Sequence, residues 1–293
     1  MGRKKNYKKK IGVKVLPYML LVPTFLSISI FSFYPFFKTI INSFSFTDEF
    51  GRWLGWAGIY FWKNVFRSDT FLPMLERTLI FAAMNFIMTV SIAMILALIC
   101  VKKTRFSRIY QTLLALPMAV ASATASIVWK FILNGEGGLL NSWLGTDIDW
   151  LNNPKTALWM VAIVTTWCHI AHTYLLLLAG FRGVSEDVQE AAIVDGAGGF
   201  IRAVRIMIPM ASPQIFFVVF LNLLSALKTF TQINLMTGGG PAGSTTTLMY
   251  NIYLRVQKGE YEYGCVMSIV MFVIVFVITR IQFLFEKKTV YYQ

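Results

Sequence analysis

The chain has 293 residues, 56% of them hydrophobic and only 14% charged, with a formal net charge of +13. Soluble domains carry about 25% charged residues, so a soluble globular fold of this length is excluded: it would have too little polar surface to cover its apolar mass. The positive balance is no sign of a nucleic-acid partner, because the basic residues sit in short stretches between long charge-free blocks.

Residues 1–14 form a basic tail (Arg3, Lys4, Lys5, Lys8, Lys9, Lys10, Lys14), expected to be mobile. The first charge-free run, Val15–Phe37, holds Pro17, Pro23 and Pro35 and is expected to be kinked. Its length, and the lack of a small-x-small cleavage site, mark it as a retained span rather than a signal peptide. Residues 43–73 are rich in aromatics (Trp53, Trp56, Tyr60, Phe61, Trp62) and read as an outer loop lying at the membrane interface. Thr78–Val101 is the second run. Ile109–Trp129, the third, contains Pro117. A second outer loop, 133–155, has turn chemistry at Asn134-Gly135 and Asn152-Asn153-Pro154. Thr156–Phe181 is the fourth run. A charged island over 182–208 leads into the fifth, Ile206–Leu227. A third outer segment, 231–262, is Gly-rich at its centre. The sixth run, Tyr263–Thr279, continues past Arg280 to Phe285, since an arginine near a helix end can snorkel.

A helix needs about 20 apolar residues to cross a hydrocarbon core of roughly 30 Å, and in lipid its backbone groups must pair within the helix. The six runs predict an all-α membrane protein with six transmembrane helices over 15–293, without a separate soluble domain. Basic residues collect in the tail, in the second-to-third connection (Lys102, Lys103, Arg105, Arg108), in the fourth-to-fifth (Arg182, Arg202, Arg205) and after the sixth run (Arg280, Lys287, Lys288). The positive-inside rule then puts both termini in the cytoplasm. Cys100, Cys168 and Cys265 are far apart and form no CxxC pair, so they read as small hydrophobes.

The island is the most specific stretch, reading EAAIVDGAGGFIRAVRIMIP from Glu190 to Pro209. Ser185 is a candidate helix N-cap, and Glu186 and Asp187 then fall in the first turn, where the helix dipole favours anions. Val188, Ala191, Ala192 and Val194 lend an apolar side. Ala191 and Ala192 have little bulk, so another surface can come close. Gly196, Gly198 and Gly199 permit a sharp turn. Ile201, Val204 and Ile208 resume a helical pattern, and Pro209 fits the first turn of the next helix. A loop lying flat on the membrane would use similar residues. The longer pattern, Glu190-Ala191-Ala192, Asp195-Gly196-Ala197 and Ile206-x-Ile208-Pro209, resembles the EAA loop of ATP-binding-cassette (ABC) importer permeases, in its expected place before the second-to-last span. Ala203 departs from it, since the family usually has Phe there.

That resemblance implies a type I importer permease fold in the plasma membrane of a prokaryote. It implies coupling to ATPase subunits through Glu190, Ala191, Ala192, Asp195 and Gly196. The implied partners are a second, different permease, two copies of an ATPase subunit and an external solute-binding protein. ATP and magnesium would sit in the ATPase subunits, with no cofactor on this chain. Thr237-Gly238-Gly239-Gly240-Pro241, followed by Thr245-Thr246-Thr247, is similar to the TGGGP segment of carbohydrate-type permeases of the maltose-transporter first-permease branch. The ending Val290-Tyr291-Tyr292-Gln293 is similar to that branch and to the glycerol-3-phosphate importer. A sugar or oligosaccharide is the solute this implies, with glycerol-3-phosphate or its diesters as the alternative.

The Gly-rich segment is not a phosphate loop. Such a loop needs G-x-x-x-x-G-K-[ST], and here Ser244 follows Gly243. His169 and His172 share a helix face and read as helix–helix hydrogen bonders, or as solute contacts if they face a cavity. Lys130 and Lys228 either snorkel or line the path of an anionic solute. Asn85, Asn222 and Gln232 complete the candidate solute path. A secondary transporter would hold carboxylates deep in its spans, and none are there. A membrane enzyme would need a convergent nucleophile or metal set, for which two histidines are too few.

Overall fold

The computed structural model describes residues 8–102 and 104–289. Arg3, Lys4 and Lys5 of the tail, Lys103, and the closing Val290–Gln293 lie outside the described residues. In chain order, helix α1 (Lys8–Ile28) runs through a π turn (Ser29–Phe33) into α2 (Tyr34–Asn42). A hairpin of β1 (Ser45–Thr47) and β2 (Trp53–Trp56) precedes α3 (Tyr60–Arg67) and the long α4 (Phe71–Cys100). Then follow α5 (Ser107–Ala119), α6 (Ser122–Ile132), α7 (Leu139–Leu144) and α8 (Ala157–Arg182). The island folds as α9 (Glu186–Val194), α10 (Gly199–Arg202), a second π turn (Ala203–Met207) and α11 (Ile208–Met210). The chain closes with α12 (Ser212–Leu227), α13 (Thr231–Met236), α14 (Leu248–Gln257) and α15 (Tyr261–Thr289).

Among the described residues, five segments are long and apolar enough to cross a membrane: Pro17–Asn42, Phe71–Cys100, Ala157–Arg182, Ser212–Met236 and Tyr261–Glu286. The third expected span is a bent pair, Ile109–Ala119 and Ser122–Ile132, meeting at 97°. One helical span containing Pro117 was expected there. Pro117 cannot donate a backbone hydrogen bond, and Val120 and Ala121 behind it are extended (ψ 127° and 134°). The first helix also starts within the basic tail, at Lys8, because lysine is a good helix former. The prolines act differently from one another. Pro17 and Pro23 lie inside α1. Each π turn ends two residues before a proline, Pro35 or Pro209. A proline ring crowds the carbonyl four residues back, and the widened turn relieves it.

The chain divides into two compact units, Met1–Phe66 with Arg255–Ile269, and Arg67–Leu254 with Val270–Gln293. In the first, the hairpin pairs Ser45 with Trp56, Phe46 with Gly55 and Thr47 with Trp53, with a bulge after Phe46. The Asp48 carboxylate accepts the N–H groups of Arg52 (2.8 Å) and Phe50 (2.9 Å) across the turn. These bonds, the Arg52 one foremost, hold its pKa below the usual carboxylate value. Buried Phe61 packs edge-on against Phe46 and Tyr263, and Glu262 accepts the Thr47 N–H at 2.6 Å.

In the second unit, α4 and α8 form the core. Ala93 and Ala97 are fully buried against Tyr174, Leu177 and Phe181. Small residues let membrane helices approach closely. Gly180 of α8 does the same for α12: a Cβ there would lie 2.6 Å from Gln214 Cγ. A second cluster joins Phe81, Val161, Val164, Ile233 and Tyr250. All three cysteines are free, and Cys100 is buried.

Candidate functional site

The island between α8 and α12 is fastened at its start. The Arg182 guanidinium donates to the Cys100 carbonyl at the end of α4 (3.3 Å), and the Gln189 amide donates to the Val184 carbonyl (3.2 Å). Ser185 occupies the N-cap position with extended backbone (ψ 134°), but its hydroxyl makes no capping bond. Glu186 and Asp187 do lie in the first turn. The end of α9 is closed by backbone bonds, Gly196 N–H to the Ile193 carbonyl (3.0 Å) and Ala197 N–H to the Ala192 carbonyl (2.9 Å). This pair is a Schellman motif, which requires a left-handed residue at the position of Gly196 (φ +80°). The Asp195-Gly196-Ala197 triplet is therefore a helix stop written into the sequence.

Glu190, Ala191 and Asp195 are exposed, while Ala192 is buried against the chain itself. The two alanines thus divide: Ala191 leaves room for an outside surface, and Ala192 seats the helix. Val194 (87% exposed) and Phe200 (81% exposed) stand out beside them. Phe200 was not singled out from the sequence. Its signal was a bulky aromatic directly after Gly198-Gly199, where no core was available to bury it.

The Gly-rich segment is a hydrogen-bonded knot. The Thr245 hydroxyl donates to the Gly240 carbonyl (2.9 Å) and pairs with the Thr237 hydroxyl (2.7 Å). The Thr246 hydroxyl donates to the Gly239 carbonyl (3.0 Å). Thr78 of α4 accepts the Leu248 N–H (2.8 Å), and Arg77 donates to the Gly243 carbonyl. Irregular backbone near a membrane must have its polar groups paired by protein, and these threonines do that. Gly239 has φ +81°, and a Cβ there would meet Tyr250 Cε1 at 2.6 Å and Thr246 Oγ1 at 2.7 Å. Arg77 and Thr78 escaped sequence reasoning, because their partners lie far along the chain.

The seven candidate path residues are spread over α4, α6, α8, the end of α12 and α13. Asn85 is buried, its amide donating to Thr166 Oγ1 (3.2 Å) and the Ala162 carbonyl (3.4 Å). Asn222 is buried, accepting from the Thr173 hydroxyl (2.9 Å) and donating to the Val218 carbonyl (2.9 Å). Gln232 is buried on α13. The amides of Asn85 and Asn222 are used within the helix packing. His169 is partly buried and His172 exposed on α8, and Lys228 is exposed at the end of α12. Lys130 is brought to the Gly-rich segment: it lines a cavity of about 280 Å³ with Asn134, Asp149, Asn152, Asn234 and Gly238.

The family model described as binding-protein-dependent transport system inner membrane component matches residues 77–291. The sn-glycerol-3-phosphate transport system permease protein UgpA of Yersinia enterocolitica serotype O:8 / biotype 1B is 33% identical over 283 residues, covering 95% of this chain and 96% of that protein. The protein of the same name from Agrobacterium fabrum is 31% identical over 287 residues, covering 95% and 97%. Among solved structures, a bacterial alginate ABC transporter in complex with an alginate pentasaccharide-bound periplasmic protein contains a chain of the same fold. Its TM-score is 0.83 at 22% identity, with 96% of this chain and 97% of that one covered.

Proposed function

This chain belongs to the family of binding-protein-dependent transport system inner membrane components, and from that premise we propose that it is the permease subunit of an ABC importer, forming half of a translocation pathway. A second, different permease supplies the other half. Two ATPase subunits bind the island from the cytoplasm, and an external binding protein delivers the solute. Glu190, Ala191, Asp195 and Gly196 form the coupling surface, Ala192 packs behind it, and Val194 and Phe200 enlarge it.

The observation that carries this reading is α9 itself. It is a short helix, entered from the end of α8 that Arg182 ties to α4 and stopped by a Schellman turn at its own end, with a carboxylate and a small residue facing outward. Such a unit can pass force without unfolding. Glu190→Lys is expected to abolish co-purification of the ATPase subunits and to reduce binding-protein-stimulated ATP hydrolysis at least tenfold, with membrane insertion intact. Normal association and hydrolysis would overturn the proposal.

The solute is proposed to be a sugar or oligosaccharide. The apolar runs carry no lysine or arginine at mid-depth, and a phosphate dianion crossing there would need one. The second reading, glycerol-3-phosphate or its diesters, is favoured by the names of the relatives. In that reading Lys130, beside the Gly-rich segment, is the cation first met by the phosphate.

A further inference from the structure

Helix α4 is fastened at both ends. Near its start Arg77 donates to the Gly243 carbonyl, and the buried Thr78 hydroxyl accepts the Leu248 N–H (2.8 Å) while donating to the Met74 carbonyl (2.7 Å). These bonds hold the Gly-rich segment. At the other end the Cys100 carbonyl accepts from Arg182 (3.3 Å). The last carbonyls of a helix have no partner within it, and a cation there also meets the negative end of the helix dipole. The two roots of the island, Val184 before α9 and Met207 before α11, are buried in the same cluster as Ala93, Ala97 and Cys100 of α4.

Between these fastenings α4 is a single helix, Phe71–Cys100. Its proline, Pro73, falls in the first turn, where no intrahelical bond is lost. From Arg77 to Cys100 the axis runs about 35 Å at 1.5 Å per residue. Midway, the Asn85 amide (3.2 Å) and the Thr89 hydroxyl (3.4 Å) both donate to Thr166 Oγ1 of α8. A close-packed interior transmits strain, and here the packed element ends on the island at one side and on the Gly-rich segment at the other. On the reading of the island as an ATPase-coupling surface, we propose that α4 carries its movement to the Gly-rich segment, with Arg182 and Arg77 as the positioning residues at the two ends.

The test uses the importer purified with its partner subunits, with Cys100, Cys168 and Cys265 changed to alanine, which keeps the carbonyl at position 100. Ala242→Cys, at an exposed position of the Gly-rich segment, serves as the reporter. Its reaction with a thiol reagent is timed with and without a nonhydrolysable ATP analogue. The analogue is expected to change the rate about fivefold, the low end of an allosteric coupling. Arg182→Gln should cancel that change and leave the analogue-free rate as it was, a result that mere loosening of the Gly-rich segment would not give. Arg182→Lys should keep the change, and Arg77→Gln should cancel it from the other end. A change that survives either Gln variant, or none in the parent protein, would overturn the proposal. In a parallel sample Val194→Cys reports whether the ATPase subunits cover the island. Loss of that shielding would overturn the coupling reading of the island, and the proposal with it.

Discussion

Hydroxyls do much of the work that charges do in soluble proteins. Thr245 is the central case, since its hydroxyl serves both the Gly240 carbonyl and Thr237. Thr245→Val keeps the shape and removes the bond, leaving a half-buried carbonyl without its partner. Such a loss costs about 1–3 kcal/mol, so a clear drop in the thermal midpoint of the purified complex is expected, with Thr245→Ser close to wild type. A Val variant as stable as wild type would mean the knot is held by its backbone alone. This role was only partly legible in the sequence. The threonine run could be matched to a known segment, but its targets are loop carbonyls that no periodicity reveals. Asn85 and Asn222 teach the same lesson from the other side. A polar residue in an apolar run reads equally well as path lining or as helix glue, and only the neighbours Thr166 and Thr173 decide which bonds are made.

At the scale of elements, the island was legible because its local chemistry is self-contained. Acidic residues open α9, and Gly196 stops it. Gly196→Val would force a β-branched residue into the left-handed region, at a cost of about 1–3 kcal/mol. The last turn of α9 should fray, seen as faster hydrogen exchange at the Asp195 and Ala197 amides, with α4 and α8 unchanged. Unaltered protection would show that tertiary packing, not the turn, sets the helix end. The break between α5 and α6 was not legible. Pro117 marked a weak place, but Pro23 lies inside α1 without a break. A proline removes one hydrogen bond in either setting. Whether the chain then turns through 97° depends on what the following segment packs against, here α13 and α8.

At the scale of the whole molecule, composition and charge placement carried most of the information. Long charge-free runs are hidden by lipid, and the positive-inside rule leads us to propose that the basic connections face the cytoplasm. The sidedness makes a direct prediction. In a variant lacking the three native cysteines, Trp56→Cys and Trp143→Cys should react with an impermeant thiol reagent in intact cells. Val194→Cys, at 87% exposure, should react only after the membrane is opened. The reverse pattern would invert the topology and remove the island from the cytoplasm.

The widened turns ahead of Pro35 and Pro209 alter how these helices must be mapped. In each, a backbone N–H reaches five residues back, Tyr34 to Ser29 and Ile208 to Ala203. One surplus residue offsets the angular phase of all that follows by about 100°, the rotation per residue of an α-helix. A helical wheel drawn straight through Val15–Phe37 therefore assigns Phe36 and Phe37 to the wrong azimuth. Deleting one residue from Ser29–Phe33 would remove that surplus, restore an ordinary α-turn and leave Phe36 and Phe37 at the azimuth they now hold.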